Sequence, residues 1–147
     1  MSTAWLQPGD RLILDGADHR VTECAVGRTD RLSFQRVRVR PELGGDERLL
    51  LQIEQAPPLE AEPIGAAELE GQQVTVGEEG FALSWEGQVR TERAAAEGRG
   101  SFGRGRCSWY ESGSGGVAVR VDARPEGWAV VAHPLPPSRI DLRFTNR

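Results

Sequence analysis

Two short aromatic–acidic segments are the most distinctive candidates for chemistry in this chain. Trp85 is followed by Glu86, and Trp109-Tyr110-Glu111 forms a second segment of the same kind. A tryptophan ring offers its negative face to a cation, and a carboxylate beside it adds charge. Trp85, Glu86, Trp109 and Glu111 are therefore candidates to line a pocket for a cationic metabolite. The alternative is that these tryptophans are core residues of a small barrel.

Arg36, Arg38 and Arg40 form a second candidate site, because they alternate along one predicted strand. Residues two apart on a strand face the same side, about 6.6–7 Å from each other. Three guanidinium groups in line could hold a polyanion or an acidic strip of a partner protein. The alternative is a solvated face balanced by cross-strand carboxylates such as Glu47 or Glu54. The 22 acidic residues outnumber the 18 arginines, which favours this alternative.

A glycine- and arginine-rich segment, residues 98–106, is the third candidate. Gly98 to Gly103 matches the dinucleotide-binding fingerprint, but that motif needs a strand before it and a helix after it. Here an Ala-rich segment precedes it and a predicted strand follows, so we do not expect a nucleotide site. With Arg99, Arg104 and Arg106 around Phe102, the segment also resembles a short Arg-Gly segment of RNA-binding proteins. The alternative is a mobile hairpin tip over 94–104.

The residues that most often carry catalysis or bind metals are few. The chain has two histidines and two cysteines, and none of them stands at a zinc-binding spacing. No nucleophile elbow is present either. The sequence therefore predicts no enzymatic activity, no metal and no cofactor. We expect both thiols, Cys24 and Cys107, to be free.

Composition favours a β protein in a reducing compartment. Eighteen Gly and nine Pro in 147 residues predict many turns and short elements. The formal net charge of −4 makes nucleic-acid binding an unfavoured expectation. The first ten residues do not resemble a signal peptide, and no apolar run approaches the roughly 20 residues that cross a bilayer. We expect a cytoplasmic, bacterial-type protein without membrane contact.

Strand-like alternation recurs along the whole chain. The first half predicts a four-stranded meander over 9–54, and the later half adds predicted strands at 128–132 and 140–145. Between the halves, Pro57, Pro58 and Pro63 argue against a central strand. The predicted organisation is an N-terminal β unit (1–56), a Pro-rich acidic connector (57–70), and a C-terminal β unit with the Arg-Gly loop and extra strands (71–147).

The two halves repeat each other in pattern. The segment that begins at Gly9 is echoed at Gly71, an offset of 62, and the Gly44-Gly45 turn is echoed at Gly115-Gly116, an offset of 71. The nine extra residues fall within 93–105. We therefore predict a duplicated β unit. The expected fold class is all-β, with two related meander or half-barrel units packed face to face and the character of an SH3-like barrel or a sandwich.

The opening segment also carries a family resemblance. Gly9 to Gly16, a Gly-Asp-hydrophobic strand followed by a glycine turn, stands before Arg20-Val21 and resembles the bacterial domain-of-unknown-function family number forty-one seventy-eight. Trp109-Tyr110-Glu111 is similar to the aromatic–acidic strand of that family. The resemblance covers 9–54 and, more loosely, 71–132. It implies no established activity or catalytic residues, and only a genomic context near polyamine-synthesis-type enzymes.

These observations lead to one main hypothesis and two alternatives. The main hypothesis is a non-enzymatic binding or accessory module that holds a partner protein on a surface strip or through the Arg-Gly loop. The first alternative is a small-molecule sensor with the Trp/Glu-lined pocket. The second is single-stranded nucleic-acid binding through residues 98–106.

Overall fold

The chain folds into strands joined by short turns, as the alternating pattern predicts. The structure is a computed structural model that describes residues 5–95 and 100–143. Two 3-10 turns, Ala66–Glu68 and Pro137–Arg139, lie among eleven strands. The strands are β1 Arg11–Leu14, β2 Ala17–Arg28, β3 Ser33–Pro41, β4 Arg48–Ile53, β5 Leu59–Pro63, β6 Gln73–Val76, β7 Glu79–Ala95, β8 Ser101–Glu111, β9 Val117–Arg124, β10 Trp128–Pro134 and β11 Ile140–Arg143. Neither 3-10 turn, nor any other described helix, is long and apolar enough to cross a membrane.

Eight of these strands close into one antiparallel barrel. Their order is β2-β3-β4-β5-β10-β9-β8-β7, and β7 pairs with β2 to complete the ring. The remaining strands extend the sheet outside the ring, with β1 and β11 beside β2 and β6 beside β7. The all-β barrel expectation is confirmed. The two halves are also joined edge to edge, because they hydrogen-bond to each other through β2–β7 and β5–β10, and both halves contribute residues to the core between them.

The two halves have matching strand registers. In the first hairpin Leu12 opposes His19, and 62 residues later Val74 opposes Phe81. Both long strands contain an irregularity at the equivalent place, between residues 21 and 23 in β2 and between 83 and 85 in β7. These matches are what a duplicated unit predicts. The duplication itself stays a prediction.

The Pro-rich connector contains a barrel strand that the sequence did not predict. β5 pairs with β4 on one side and with β10 on the other. The prolines do not prevent this, because Pro57 and Pro58 precede the strand and Pro63 is its last residue. Each half therefore contributes a five-stranded meander. β10 is the counterpart of β5, and β11 is the one additional strand described.

Three apolar clusters account for the packing. The central core fills the barrel interior with residues from seven barrel strands: Phe34, Leu51, Ala61, Val89, Cys107, Trp109, Val119, Val121, Val130 and Ala132. An outer cluster lies under β1 and β11 and contains Leu6, Leu12, Leu14, Val21, Cys24, Val37, Val39, Leu50 and Leu135. Its counterpart lies under β6 and contains Leu69, Phe81, Tyr110, Ala118, Ala129 and Val131. Both faces of the strands are thus buried over much of the barrel.

Candidate functional site

Residues 101–106, expected to belong to a loop, form the first half of β8. Their glycines face inward, where β9 approaches too closely for a side chain. A Cβ at Gly103 would lie 1.9 Å from the carbonyl oxygen of Arg124, and a Cβ at Gly105 would lie 1.9 Å from that of Asp122. Arg104 and Arg106 face outward and are exposed. The Gly-Arg alternation is therefore a strand pattern with a period of two. The hairpin-tip interpretation is wrong for 101–104, and for 94–95, which end β7.

Arg104 belongs to a line of four arginines that crosses four adjacent strands. Direct register partners connect Arg28 of β2 to Arg90 of β7, Arg90 to Arg104 of β8, and Arg104 to Arg124 of β9. We call these four residues the arginine row. Neighbouring strands lie about 4.8 Å apart, so the row spans about 14 Å of backbone. All four side chains are exposed on the outer surface of the barrel.

The arginine row is not neutralised by carboxylates. Within residues 5–95 and 100–143, none of its four side chains forms an ion pair or a side-chain hydrogen bond. Like charges directly opposite each other on a sheet are destabilising. The row therefore places an uncompensated positive strip on one side of the molecule.

A second line of arginines on the surface does form ion pairs with carboxylates. Arg143, Arg11, Arg20 and Arg40 are also direct register partners, across β11, β1, β2 and β3. Here Arg20 pairs with Glu42 at 3.0 Å, Arg40 with Glu47 at 2.7 Å and Arg143 with Asp141 at 2.8 Å. We call these four residues the paired row. The two lines have the same geometry, but three members of the paired row have carboxylate partners.

An open groove of about 720 Å³ lies beside three members of the arginine row. It is lined by Arg28, Arg90 and Arg104 of the row and by Arg106, together with Thr29, Asp30, Gln88, Val89 and Gly105. The nearest described carboxylate partner of Arg106 is Glu86, at 3.9 Å. Four guanidinium groups around one groove can donate several charge-assisted hydrogen bonds to an anion.

Phe102 adds an exposed apolar group beside this groove. Its side chain is 74% exposed, which is unusual for a large apolar residue. It lies two residues before Arg104 on the same face of β8, about 6.6–7 Å along the strand. Glu92 is its direct partner on β7. The remaining arginine of the sequence candidate, Arg99, lies outside the described residues.

The structure separates Arg36 from Arg38 and Arg40. Arg36 is buried, and its Nη2 lies 3.0 Å from Oε1 of Glu23. Its guanidinium carbon Cζ lies over Trp128, 5.2 Å from the ring centroid. Arg38 and Arg40 both pair with Glu47, at 3.2 and 2.7 Å. Two arginines are thus neutralised by a cross-strand carboxylate, as the solvated-face alternative predicts, and the third is part of the interior.

Arg36 belongs to a charged cluster at one end of the barrel. Arg93 bridges Glu23 and Glu126, with N–O distances of 2.5 and 3.2 Å. Burial by itself would raise the pKa of Glu23, but the hydrogen bond from Arg93 and the nearby arginines bring that pKa below its ordinary value. Glu23 therefore stays ionised. The cluster is internally paired and stabilises the barrel end.

The aromatic–acidic candidates are divided between the two faces of the sheet. Trp109 is 2% exposed in the central core, and Trp85 stacks on it with ring centroids 5.5 Å apart. Glu86 lies on the outer face, where Ser108 donates a hydrogen bond of 3.4 Å to it. Glu111 is exposed at the end of β8. Trp109 is thus a core residue, and the partly buried Trp85 packs against that core.

The histidines and cysteines are engaged in structural contacts. His19 is 3% exposed, with Nδ1 2.8 Å from the carbonyl oxygen of Ala17, and His133 Nε2 lies 2.5 Å from Glu79. Neither cysteine forms a disulfide in the described structure and both are buried, and burial raises the pKa of Cys107 to about 12. Among the described residues, no group of three or more potential ligands could hold a metal ion.

Sequence reasoning found Arg104 and Arg106 but missed Arg28, Arg90 and Arg124. The three missed arginines lie in three different strands, and no local sequence pattern connects them. Only the register of the paired strands brings them into line. One signal was present, because Arg28 and Arg90 occupy equivalent positions of the repeat, 62 residues apart, and oppose each other directly. Comparison with protein-family models, curated proteins and solved structures gave no match. The family resemblance therefore stays a prediction.

Proposed function

We propose that this protein is a non-enzymatic binding module that holds an acidic segment of a partner protein on the arginine row. The observation that carries the proposal is the contrast between the two arginine lines. The paired row has carboxylate partners within the chain, whereas the arginine row has none among the described residues. An anion supplied by another molecule would relieve the like-charge repulsion and receive charge-assisted hydrogen bonds.

The charge distribution favours a short acidic protein segment over a nucleic acid. The chain carries a net charge of −4, so its long-range field opposes the approach of an extended polyanion. The arginine row is local, about 14 Å long. A short run of carboxylates on a partner of otherwise neutral or basic surface can reach it without that penalty.

A non-catalytic role is supported by how the reactive groups are used. Both histidines contact structural partners, and both thiols are buried. The groove instead gathers arginines, whose planar guanidinium groups are typical of anion recognition rather than acid–base chemistry.

Single-stranded nucleic-acid binding is a second candidate, favoured by Phe102 alone. An exposed aromatic ring beside outward arginines could stack on a base while the guanidinium groups contact phosphates. This candidate requires binding at physiological salt despite the net charge of the protein.

Peptide binding measured by fluorescence anisotropy tests the proposal. A labelled peptide rich in glutamate should bind the wild-type protein, more weakly as salt rises. The double variant R90E/R104E should weaken binding by about tenfold or more, because two charge-assisted contacts become repulsive. The matched control R20E/R40E makes the same charge change on the paired row and should have little effect.

Two results would contradict the proposal. An equal loss of affinity in both double variants would show a general charge effect, and absence of binding at low salt would remove its basis. A gel shift of a single-stranded oligonucleotide at physiological salt, lost in R90E/R104E and in F102A, would support the second candidate instead.

A further inference from the structure

The groove beside the arginine row carries more positive charge than a single carboxylate group would neutralise. Arg90 is flanked by Arg28 on one side and Arg104 on the other, each a direct register partner. Arg106, which pairs with Glu86 at 3.9 Å, also lines the groove, and within residues 5–95 and 100–143 Asp30 is the one carboxylate on its wall. The three arginine-row members that line the groove, which have no ion-pair partner among the described residues, therefore face one negative charge in a space of about 720 Å³.

The donors in the groove suit a phosphoryl group better than a carboxylate. A carboxylate carries one negative charge on two oxygens, whereas a phosphorylated serine or threonine carries about −1.5 to −2 at pH 7 on three acceptor oxygens. A guanidinium donates two parallel hydrogen bonds to such oxygens in a fixed planar geometry. Three adjacent guanidinium groups can thus share one phosphoryl group, which also compensates more of their mutual repulsion.

We propose that this groove binds a phosphorylated serine or threonine side chain of the partner segment. The inference rests on the proposed function and names the chemical group that the site recognises. Arg90 lies at the centre of the site, Arg28 and Arg104 lie on either side, and Gln88 adds an exposed amide at the groove wall. Phe102 offers an apolar contact to a residue next to the phosphorylated one, which favours a peptide segment over free phosphate.

Three peptides that differ at one position test the inference. Each has ten residues and one leucine two positions after a central serine, glutamate or phosphoserine. The phosphoserine peptide should bind at least about tenfold more tightly than the glutamate peptide, and the serine peptide least tightly. Affinity for the phosphoserine peptide should rise between pH 5 and pH 7, since its second ionisation lies near pH 6. Affinity for the glutamate peptide should change little over that range.

Arginine-to-lysine variants separate geometry from charge. R90K and R104K keep the charge but lose the planar pair of donors, so each should reduce the preference for phosphoserine over glutamate. R20K on the paired row is the matched control and should leave the preference unchanged. Because these side chains are exposed, melting temperature should be the same in all three variants, and two independent variants cover the case in which one does not fold.

The outcomes distinguish this inference from the proposed function. Equal affinity for the glutamate and phosphoserine peptides would overturn the phosphoryl inference and leave the proposed function standing. Absence of binding to every acidic peptide would overturn both. Competition by inorganic phosphate as effective as the phosphoserine peptide, or tighter binding of a single-stranded oligonucleotide, would overturn the assignment to a protein segment.

Discussion

Gly27 of β2 lies directly against the ring of Phe34 and shows how single residues set the barrel core. A Cβ at this position would lie 2.4 Å from the Phe34 ring, closer than real Cβ contacts allow. Phe34 is fully buried and packs edge-on against Trp109 and Trp128, with ring centroids 5.4 and 5.8 Å away. The ring therefore has little room to move.

Gly27→Ala should destabilise the protein by about 1–3 kcal/mol, because the added methyl group overpacks the core. Gly87→Ala is the matched control, since a Cβ at that strand position meets no atom within 4 Å. It should be close to neutral or stabilise by up to about 1 kcal/mol. Urea unfolding followed by tryptophan fluorescence gives both values. Equal effects in the two variants would mean that the loss of glycine, rather than the Phe34 contact, matters.

Arg104 and Arg106 were candidates from the sequence as loop residues, whereas the structure places them on one strand face, where Gly and Arg alternate with a period of two. The burial of Trp109 could not be predicted, since the same aromatic–acidic pattern occurs both in binding pockets and in cores. Burial decides between these roles, and burial depends on the strands that lie above and below the ring. A single sequence does not specify those neighbours.

At the scale of elements, one carboxylate ties together three parts of the C-terminal half. Glu79 begins β7 and accepts hydrogen bonds of 2.6 Å from Ser112 and Ser114 in the β8–β9 turn. Its other oxygen lies 2.5 Å from Nε2 of His133 on β10. The serine hydroxyls, and then the histidine, lower the pKa of Glu79 to about 2.

The lowered pKa makes this contribution to stability dependent on pH. Because the folded pKa lies below the ordinary value of 4.5, the stabilisation is fully present above pH 4.5 and is lost as pH falls toward 2. Glu79→Gln should therefore destabilise the protein at pH 7, and the difference from wild type should shrink by pH 3. Glu78→Gln, at the exposed neighbouring position, is the control. A difference that stays constant from pH 7 to pH 3 would contradict the linkage, as measured by urea midpoints.

Most strands were predictable from alternation, and the two failures have a common cause. The prolines around β5 predict a connector, and the glycines at the start of β8 predict a loop. In both cases tertiary pairing overrides composition. Pro63 stands at a strand end, and Gly103 and Gly105 allow the β9 backbone to approach.

At the scale of the molecule, the sequence predicted two similar halves but not how they join. Closure depends on β2 pairing with β7 and β5 with β10, which are contacts between residues far apart in the chain. The arginine row depends on the same closure, since Arg28 comes from one half and the other three arginines come from the second. Strand propensity and periodicity do not predict how β2 aligns with β7 or β5 with β10. Beyond Arg104 and Arg106, the sequence offered one signal for this site, the equivalent repeat positions of Arg28 and Arg90.

Closure also predicts that the two halves unfold together, and the two buried cysteine thiols can be used to test this. Cys24 lies in the outer cluster under β1 and β11, and Cys107 lies in the central core. Both are buried, and the pKa of Cys107, raised by burial to about 12, keeps that group in the unreactive thiol form. Opening either half would break the β2–β7 and β5–β10 edges that the halves share.

Neither thiol should react with a disulfide reagent at pH 8 in the native protein, and both should react over one urea transition. That transition should coincide with the change in tryptophan fluorescence, because Trp85, Trp109 and Trp128 pack in or against the central core. The variants C24A and C107A each leave one thiol and so assign the reactivity to one cluster. If Cys24 reacts at a lower urea concentration than Cys107, the outer cluster opens by itself, and the β1–β11 layer is a separate cooperative unit on a barrel that remains closed.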